Sequence, residues 1–413
     1  CSLPGGMAWH GMAWHGMALA HLTGQATNAH RTERWMLARS QIGLLSGLWG
    51  RRLLPVFVAI SVVPGLTHAQ VLTRDSLAAS TQGTLSSWIE HTRFTLDVSH
   101  RASSETDADG WRGKTMVGVD LQHVFSSSRG DIGTLVFQGF FTGTHEPGAF
   151  PVALDPGPDW DFAFRSVWFN FTGLGRKLPS VKIGHFEVPF GLEHTIDSNG
   201  WVRQTIKPRN VGFVGDWGVS LNGVVPGFEY EASLTRGTGK DWANDGGPFL
   251  VGARLATPRW RGNWVGVSII HGRVWSPAGA AHWAAGLADA TASDKAGPIV
   301  ERARVGLESG LRWHRFEALG ELSLGSDSGQ RTLNGLLELD WETYTQRALI
   351  YVQWRHYGQR YARSWVSDDT LVLGTRLWPS PSFAVSAAAS LGLTRFTGGA
   401  DGARLVLQLR YRT

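Results

Sequence analysis

Residues Val181–Glu193 read VKIGHFEVPFGLE. Apolar Val181 and Ile183 alternate with Lys182 and Gly184, the period of a two-faced β-strand, while Pro189 and Gly191 cannot continue a ladder, so the strand ends near Val188. Alternation resumes only at DWGVSLNGVV, beginning at Asp216. Residues 189–215 are the longest connection in the patterned part of the chain, and an irregular segment of that length in a compact fold is usually functional or disordered.

Working outward, period-two segments bounded by turn residues number sixteen. The first eight fall at about 92–100, 115–124, 132–142, 160–171, 180–188, 216–224, 227–236 and 249–256. The second eight fall at about 263–274, 299–308, 312–324, 332–342, 346–356, 368–378, 382–394 and 402–412. In 160–171 both parities carry aromatic residues, Phe162 and Phe164 against Phe169 and Phe171, which predicts a bulge near Arg165. Connections after odd-numbered segments tend to be long (101–114, 143–159, 189–215, 275–298) and those after even-numbered ones short (Val225-Pro226, Ser309-Gly310, 379–381). Even strand number, long extracellular loops and short periplasmic turns are the habits of outer-membrane barrels. The fold class expected is therefore all-β: a transmembrane antiparallel β-barrel of about 16 strands.

Composition agrees. No run of eighteen apolar residues occurs in 70–413, which excludes a spanning helix, and that part is rich in Gly and Trp with its apolar residues dispersed rather than clustered. Trp264, Trp313, Trp341 and Trp378 near strand ends are expected to form interfacial girdles.

Arg51-Arg52, the apolar run LLPVFVAISVV and the small residues Thr67 and Ala69 form the three parts of a secretory signal peptide. The expected organisation is leader or non-native sequence over 1–35, with its GMAWH repeat, a signal peptide over 36–69, and the barrel over 70–413. Removing the five arginines and one glutamate that precede Gln70 from 39 basic and 34 acidic residues leaves a net charge of +1 on the mature part. The high overall pI is thus no argument for nucleic acid as a partner. The single Cys is Cys1, so the mature part has neither a disulfide framework nor a cysteine metal site. No metal or other cofactor is expected.

The strings GHFEVPFGLE, IDSNGWVRQTI and GDWGVSLNG, within residues 181–223, resemble the phosphate-selective porin O and P family of outer-membrane channels. The resemblance implies passive diffusion of small hydrophilic solutes, a homotrimer, and contact with outer-membrane lipid and lipopolysaccharide. Family members with phosphate preference are rich in lumenal lysine. This mature chain has only Lys114, Lys177, Lys182, Lys207, Lys240 and Lys295, so an anion preference would fall largely to arginine, a bidentate oxyanion donor.

In porins of this size the connection after the fifth strand folds into the lumen, and Arg203, Lys207 and Arg209 are the expected constriction cations. Strand parity adds wall cations: Lys182 in the fifth strand, and Arg254, Arg302, Arg304, Arg315, Arg347, Arg355, Arg376 and Arg410 elsewhere. Arg or Lys facing lipid at midplane costs about 2–4 kcal/mol, which favours lumenal placement. Acidic residues of the same parity include Glu229, Glu231, Glu317, Glu321, Glu338 and Asp340, so the lumen is expected to carry both signs. Two other classes were weighed. His194, Ser198 and Asn199 loosely follow the arrangement of outer-membrane phospholipases, at the wrong spacing and in a loop. A secreted β-sandwich binding carbohydrate through Trp would show the same alternation with its faces inverted.

Overall fold

The computed structural model describes residues 91–106, 110–128, 130–148, 159–175, 178–192, 202–203, 206–240, 242, 247–259, 262–275, 299–343, 345, 347–361, 363–394 and 402–413. The expected leader and signal peptide lie outside them. Among the described residues are sixteen strands: β1 Thr92–Glu105, β2 Trp111–Ser127, β3 Gly130–Gly148, β4 Asp159–Phe171, β5 Ser180–Glu187, β6 Gly215–Val225, β7 Phe228–Thr235 and β8 Phe249–Ala256. They continue as β9 Trp264–Trp275, β10 Ile299–Trp313, β11 Phe316–Asp327, β12 Gln330–Glu342, β13 Ala348–Tyr361, β14 Ser364–Ser380, β15 Phe383–Thr394 and β16 Ala403–Arg412. Each pairs antiparallel with its sequence neighbours, and β1 pairs with β16 in the register Ser99↔Arg410, closing the barrel. A closed ladder leaves no edge strand unpaired. The sandwich alternative is thereby overturned.

Which parity faces outward is settled by exposure. Leu322, Leu324, Leu337, Leu339, Val352 and Leu373 are exposed, whereas Glu321, Ser323, Asn334, Glu338 and Gln353 of the opposite parity are buried. In water this pattern would be inside out; it is stable where the exterior is hydrocarbon.

The bulge in β4 sits where the clash of parities placed it. The β3–β4 register slips between Gln138 and Gly139, which face Ser166 and Phe164, so Arg165 has no opposite residue. The slip lets Phe162 and Phe164 lie on the same outer face as Val167 and Phe169, and it turns Arg165 inward to pair with Glu187.

Several boundaries differ from expectation. β1 and β2 run further than their patterned parts, because polar His100, Ser103 and Arg112 blur the alternation, and their connection shrinks to 106–110. Long connections also fail after β11 and β13, where the links are 328–329 and 362–363. Ser328 and Gly329 both have positive φ, 45° and 84°, the backbone of a two-residue hairpin turn. The girdle reading needs correcting at two of its four tryptophans. Trp313 and Trp341 face outward, but Trp264 is 5% exposed and Trp378 packs against an interior cluster, since both carry the inward parity of their strands.

Candidate functional site: the loop-filled lumen

The β5–β6 connection folds into the barrel because its apolar residues meet apolar patches on an otherwise polar inner wall. Val188, Phe190, Val211 and Phe213 pack on Leu250, Ile270, Val274 and Val300 of β8–β10. Leu192 and Ile206 pack on Trp264, Leu319, Leu336 and Tyr357. Val202 reaches Leu349, Tyr351, Val372, Ala388 and Val406 of β13–β16. The segment thus crosses the lumen from its origin between β5 and β6 to the far wall. Small wall residues make room for it: a Cβ on Gly306 would lie 2.9 Å from Phe190 Cζ.

Polar contacts seat the segment. Gly191, at φ 70°, donates its N–H to Ser268 Oγ (3.2 Å). Glu321 of β11 accepts the Leu192 N–H (2.8 Å) and the Asn210 side-chain amide (2.5 Å). Asn210 Oδ1 in turn accepts from Ser323 Oγ (2.6 Å) and Asn334 Nδ2 (2.7 Å). Asn210 closes a single helical turn, α1 Lys207–Asn210, whose Ile206 carbonyl accepts the Asn210 N–H (3.0 Å).

This seating changes the role of the three loop cations. Arg203 is buried and pairs with Glu338 and with Asp340 (3.1 Å). Lys207 is fully buried, its Nζ 3.9 Å from Glu187 Oε2, the carboxylate that also holds Arg165. Only Arg209 is half-exposed, 3.8 Å from Asp368 and with its guanidinium 4.8 Å from the Tyr357 ring centre. The expectation that all three meet passing solutes is corrected for Lys207. Burial against Glu187 withdraws Lys207 from the aqueous path, whereas Arg203, although paired, borders the cavity described below. His194, Ser198 and Asn199, the residues of the phospholipase-like arrangement, lie outside the described residues.

The wall cations fall into groups. Lys182 bonds Glu231 (2.8 Å) against the Trp168 and Phe186 rings. Arg254 bridges Glu308 (2.5 Å) and Glu229 (2.9 Å). Arg302 and Arg304 share Asp327, each at 2.8 Å. Arg355 is buried in β13, and Arg376 lies 5.0 Å from the Trp378 ring centre. Arg347 is corrected: it is exposed in the β12–β13 turn, beyond the end of the ladder, where its carbonyl accepts the Trp378 N–H (2.8 Å). In the β8–β9 turn, Arg259 stacks 4.7 Å from the Trp264 ring centre, and burial lowers its pKa to about 10, leaving it charged at neutral pH.

Both signs of charge line the lumen, and β10 carries Arg302 and Arg304 as well as Glu308. Glu308, Glu317, Glu321, Glu338 and Asp340 lie on the adjacent strands β10–β12, where Arg203, Asn210 and the Leu192 N–H engage three of them. The wall from β13 to β16 carries Arg355, Arg376, Arg404 and Arg410, and β15 between them contributes only small inner residues such as Ala384, Ser386 and Ala388. Arg203 and Arg376 border a common cavity of about 570 Å³ at the short-turn end, with Arg312, Arg315, Arg410 and Arg412 and the carboxylates Glu317, Asp340 and Glu342. Arg312 and Trp378 were missed as lumen residues, because both sit at strand ends, where alternation is too short to establish parity.

A closed antiparallel barrel with an apolar exterior, a charged interior and a long connection folded inside it has the architecture of outer-membrane porins. Solved structures share it. The chain is similar to a loop L8 deletion mutant of OmpT, an outer membrane protein of Vibrio cholerae (TM-score 0.55, 10% identity, covering 78% of this chain and 99% of that one). It is also similar to an anion-selective porin from Comamonas acidovorans (TM-score 0.53, 12% identity, 78% and 99% covered). A third likeness is to Pseudomonas putida OprB in its high-pH structure (TM-score 0.53, 9% identity, 82% and 97% covered). No protein-family model matches the chain, and no curated protein matches its sequence. At these identities the likeness establishes the fold.

Proposed function

We propose that this chain is an outer-membrane porin through which small hydrophilic solutes diffuse passively, with a preference for anions, and that it is not an enzyme. The observation that carries the reading is the inserted connection. It engages Glu321, Glu338 and Asp340 on β11–β12, and the cavity beside it is bordered by six arginines, Arg203, Arg312, Arg315, Arg376, Arg410 and Arg412, against three carboxylates, Glu317, Asp340 and Glu342. Fixed rings of charged side chains are a recognised source of ion selectivity. The likeness to an anion-selective porin supports the sign, and the resemblance around PFGLE supports phosphate as one candidate solute. The decisive measurement is the reversal potential of the mature barrel in a planar bilayer under a salt gradient. An anion-selective sign is expected; cation preference would overturn the selectivity reading, and phospholipid hydrolysis without conductance would favour the enzyme.

The same reading places the barrel in outer-membrane lipid and lipopolysaccharide after export, with cleavage between Ala69 and Gln70. The intact mass of the extracted protein should correspond to a chain starting at Gln70, with allowance for pyroglutamate. A mature form retaining Met36 would refute the cleavage.

A homotrimer is supported by the outer face of β1–β3. There His100 and Thr115 share a hydrogen bond (2.9 Å), the His145 ring lies edge-on to His100 (6.1 Å), and Gly139 and Gly143 alternate with Phe141. Polar side chains on a lipid-facing surface are costly, and small residues permit close approach of a second copy. A solved form of Vibrio cholerae OmpT with this fold is described as a trimer (TM-score 0.53, 11% identity, 78% and 99% covered).

A further inference from the structure

We propose that the cavity between the inserted connection and the short-turn rim binds an organic anion with a flat apolar body, in chemical terms an aromatic carboxylate. This rests on the porin reading only in taking the lumen to be open to solutes. The cavity, about 570 Å³, is roofed by Arg203 and walled by the short-turn ends of β10 to β16. That volume falls in the range of about 300–1,000 Å³ common to small-molecule sites.

Its chemistry is two-sided. Ala384 of β15 pairs in register with Arg410 of β16, and Trp378 of β14 faces inward on the other side of β15, at the register shift between Leu377 and Ser380. With strands about 4.8 Å apart, the methyl floor at Ala384 leaves a slot about 10 Å across between the strands bearing indole and guanidinium. Leu349 extends the apolar side.

The cationic side is held in place from behind. Arg410 is anchored on Asp97, which has no exposed surface, Arg412 on Asp120 (2.8 Å) and Arg312 on Glu342 (3.0 Å). Arg376 is fixed over the Trp378 ring. Asp97 has no exposed surface while the Arg412 side chain keeps 23% of its exposure. Three carboxylates also border the cavity, of which Asp340 and Glu342 are paired with Arg203 and Arg312, so guanidinium outnumbers carboxylate there. Inorganic phosphate would use the guanidinium planes alone. An aromatic carboxylate uses both sides: its oxygens take paired N–H donors and its ring covers Trp378.

The probe is benzoate, titrated calorimetrically into the detergent-solubilised mature barrel and added to the short-turn side in planar bilayers. Acetate and inorganic phosphate serve as comparisons. Benzoate is expected to bind with a Kd of about 1 mM and to interrupt chloride current, with acetate and phosphate at least about tenfold weaker. Trp378→Ala and Arg376→Gln should each weaken benzoate about fivefold, the scale of a partly exposed ring or cation contact. Trp378→Phe should retain most of the affinity and guards against a folding defect in the alanine variant. Equal affinity for acetate and benzoate, or no heat with benzoate, overturns the site. Benzoate binding in a barrel that carries no current would keep the site and sink the porin reading; current without benzoate binding would do the reverse.

Discussion

Glu321→Ala is expected to unseat the inserted connection and raise single-channel conductance. The Glu321 carboxylate accepts both the Leu192 N–H and the Asn210 amide in a buried setting. Removing an acceptor from a buried donor costs about 1–3 kcal/mol, so the loss of two such bonds weakens the seat by roughly 2–6 kcal/mol if they act independently. The barrel itself should survive, because the ladder hydrogen bonds that close it do not involve this side chain. The expected signature in a planar bilayer is a larger, noisier conductance at unchanged heat-modifiable gel migration. Glu321→Gln, which keeps one acceptor and turns a donor toward one of its former partners, should fall between the two. Wild-type conductance and noise in Glu321→Ala would show that the apolar contacts of Phe190, Leu192 and Ile206 hold the segment unaided.

The second large effect is expected at Arg203. Its guanidinium lies between Glu338 and Asp340, all three buried. Removing one partner of a buried ion pair typically costs about 3–5 kcal/mol, because the remaining charge is left uncompensated. Arg203→Met should therefore lower the unfolding temperature of the detergent-solubilised barrel or loosen the far end of the inserted segment near Val202. It should also move the reversal potential toward cations by uncovering two carboxylates beside the arginine wall. Adding Glu338→Gln and Asp340→Asn should restore both stability and sign if the effect is electrostatic. If Arg203→Met shifts the reversal potential and the triple variant does not restore it, the guanidinium itself faces the solute path.

The roles of the loop cations depend on partners that lie far away in sequence. Arg203, Lys207 and Arg209 were identifiable as cations in an irregular connection, but their carboxylate partners come from β12, β5 and β14. A cation that is solvated in an open loop and one buried against a wall carboxylate have the same local sequence. One signal was present: Leu319, Leu336, Leu349 and Val372 occupy inward positions among polar neighbours. Apolar residues facing a water-filled lumen need a cover, and their distribution from β11 to β14 marks where the inserted segment lies.

What the sequence determined by itself is the barrel. Alternation has a period of two whatever surrounds it, so strand number, the break after Val188 and the bulge at Arg165 were legible from local pattern and steric rules. Tertiary structure decided the rest. Only the exposure of side chains in the closed barrel showed which face looks outward, since alternation is symmetric between a core and a lipid phase. Only the folded lumen showed that Arg203 and Lys207 meet wall carboxylates, and that Arg203, Arg376 and Arg410 border one cavity. Coulombic pairing and burial act through distance in space, and strands far apart in sequence face one another across a barrel.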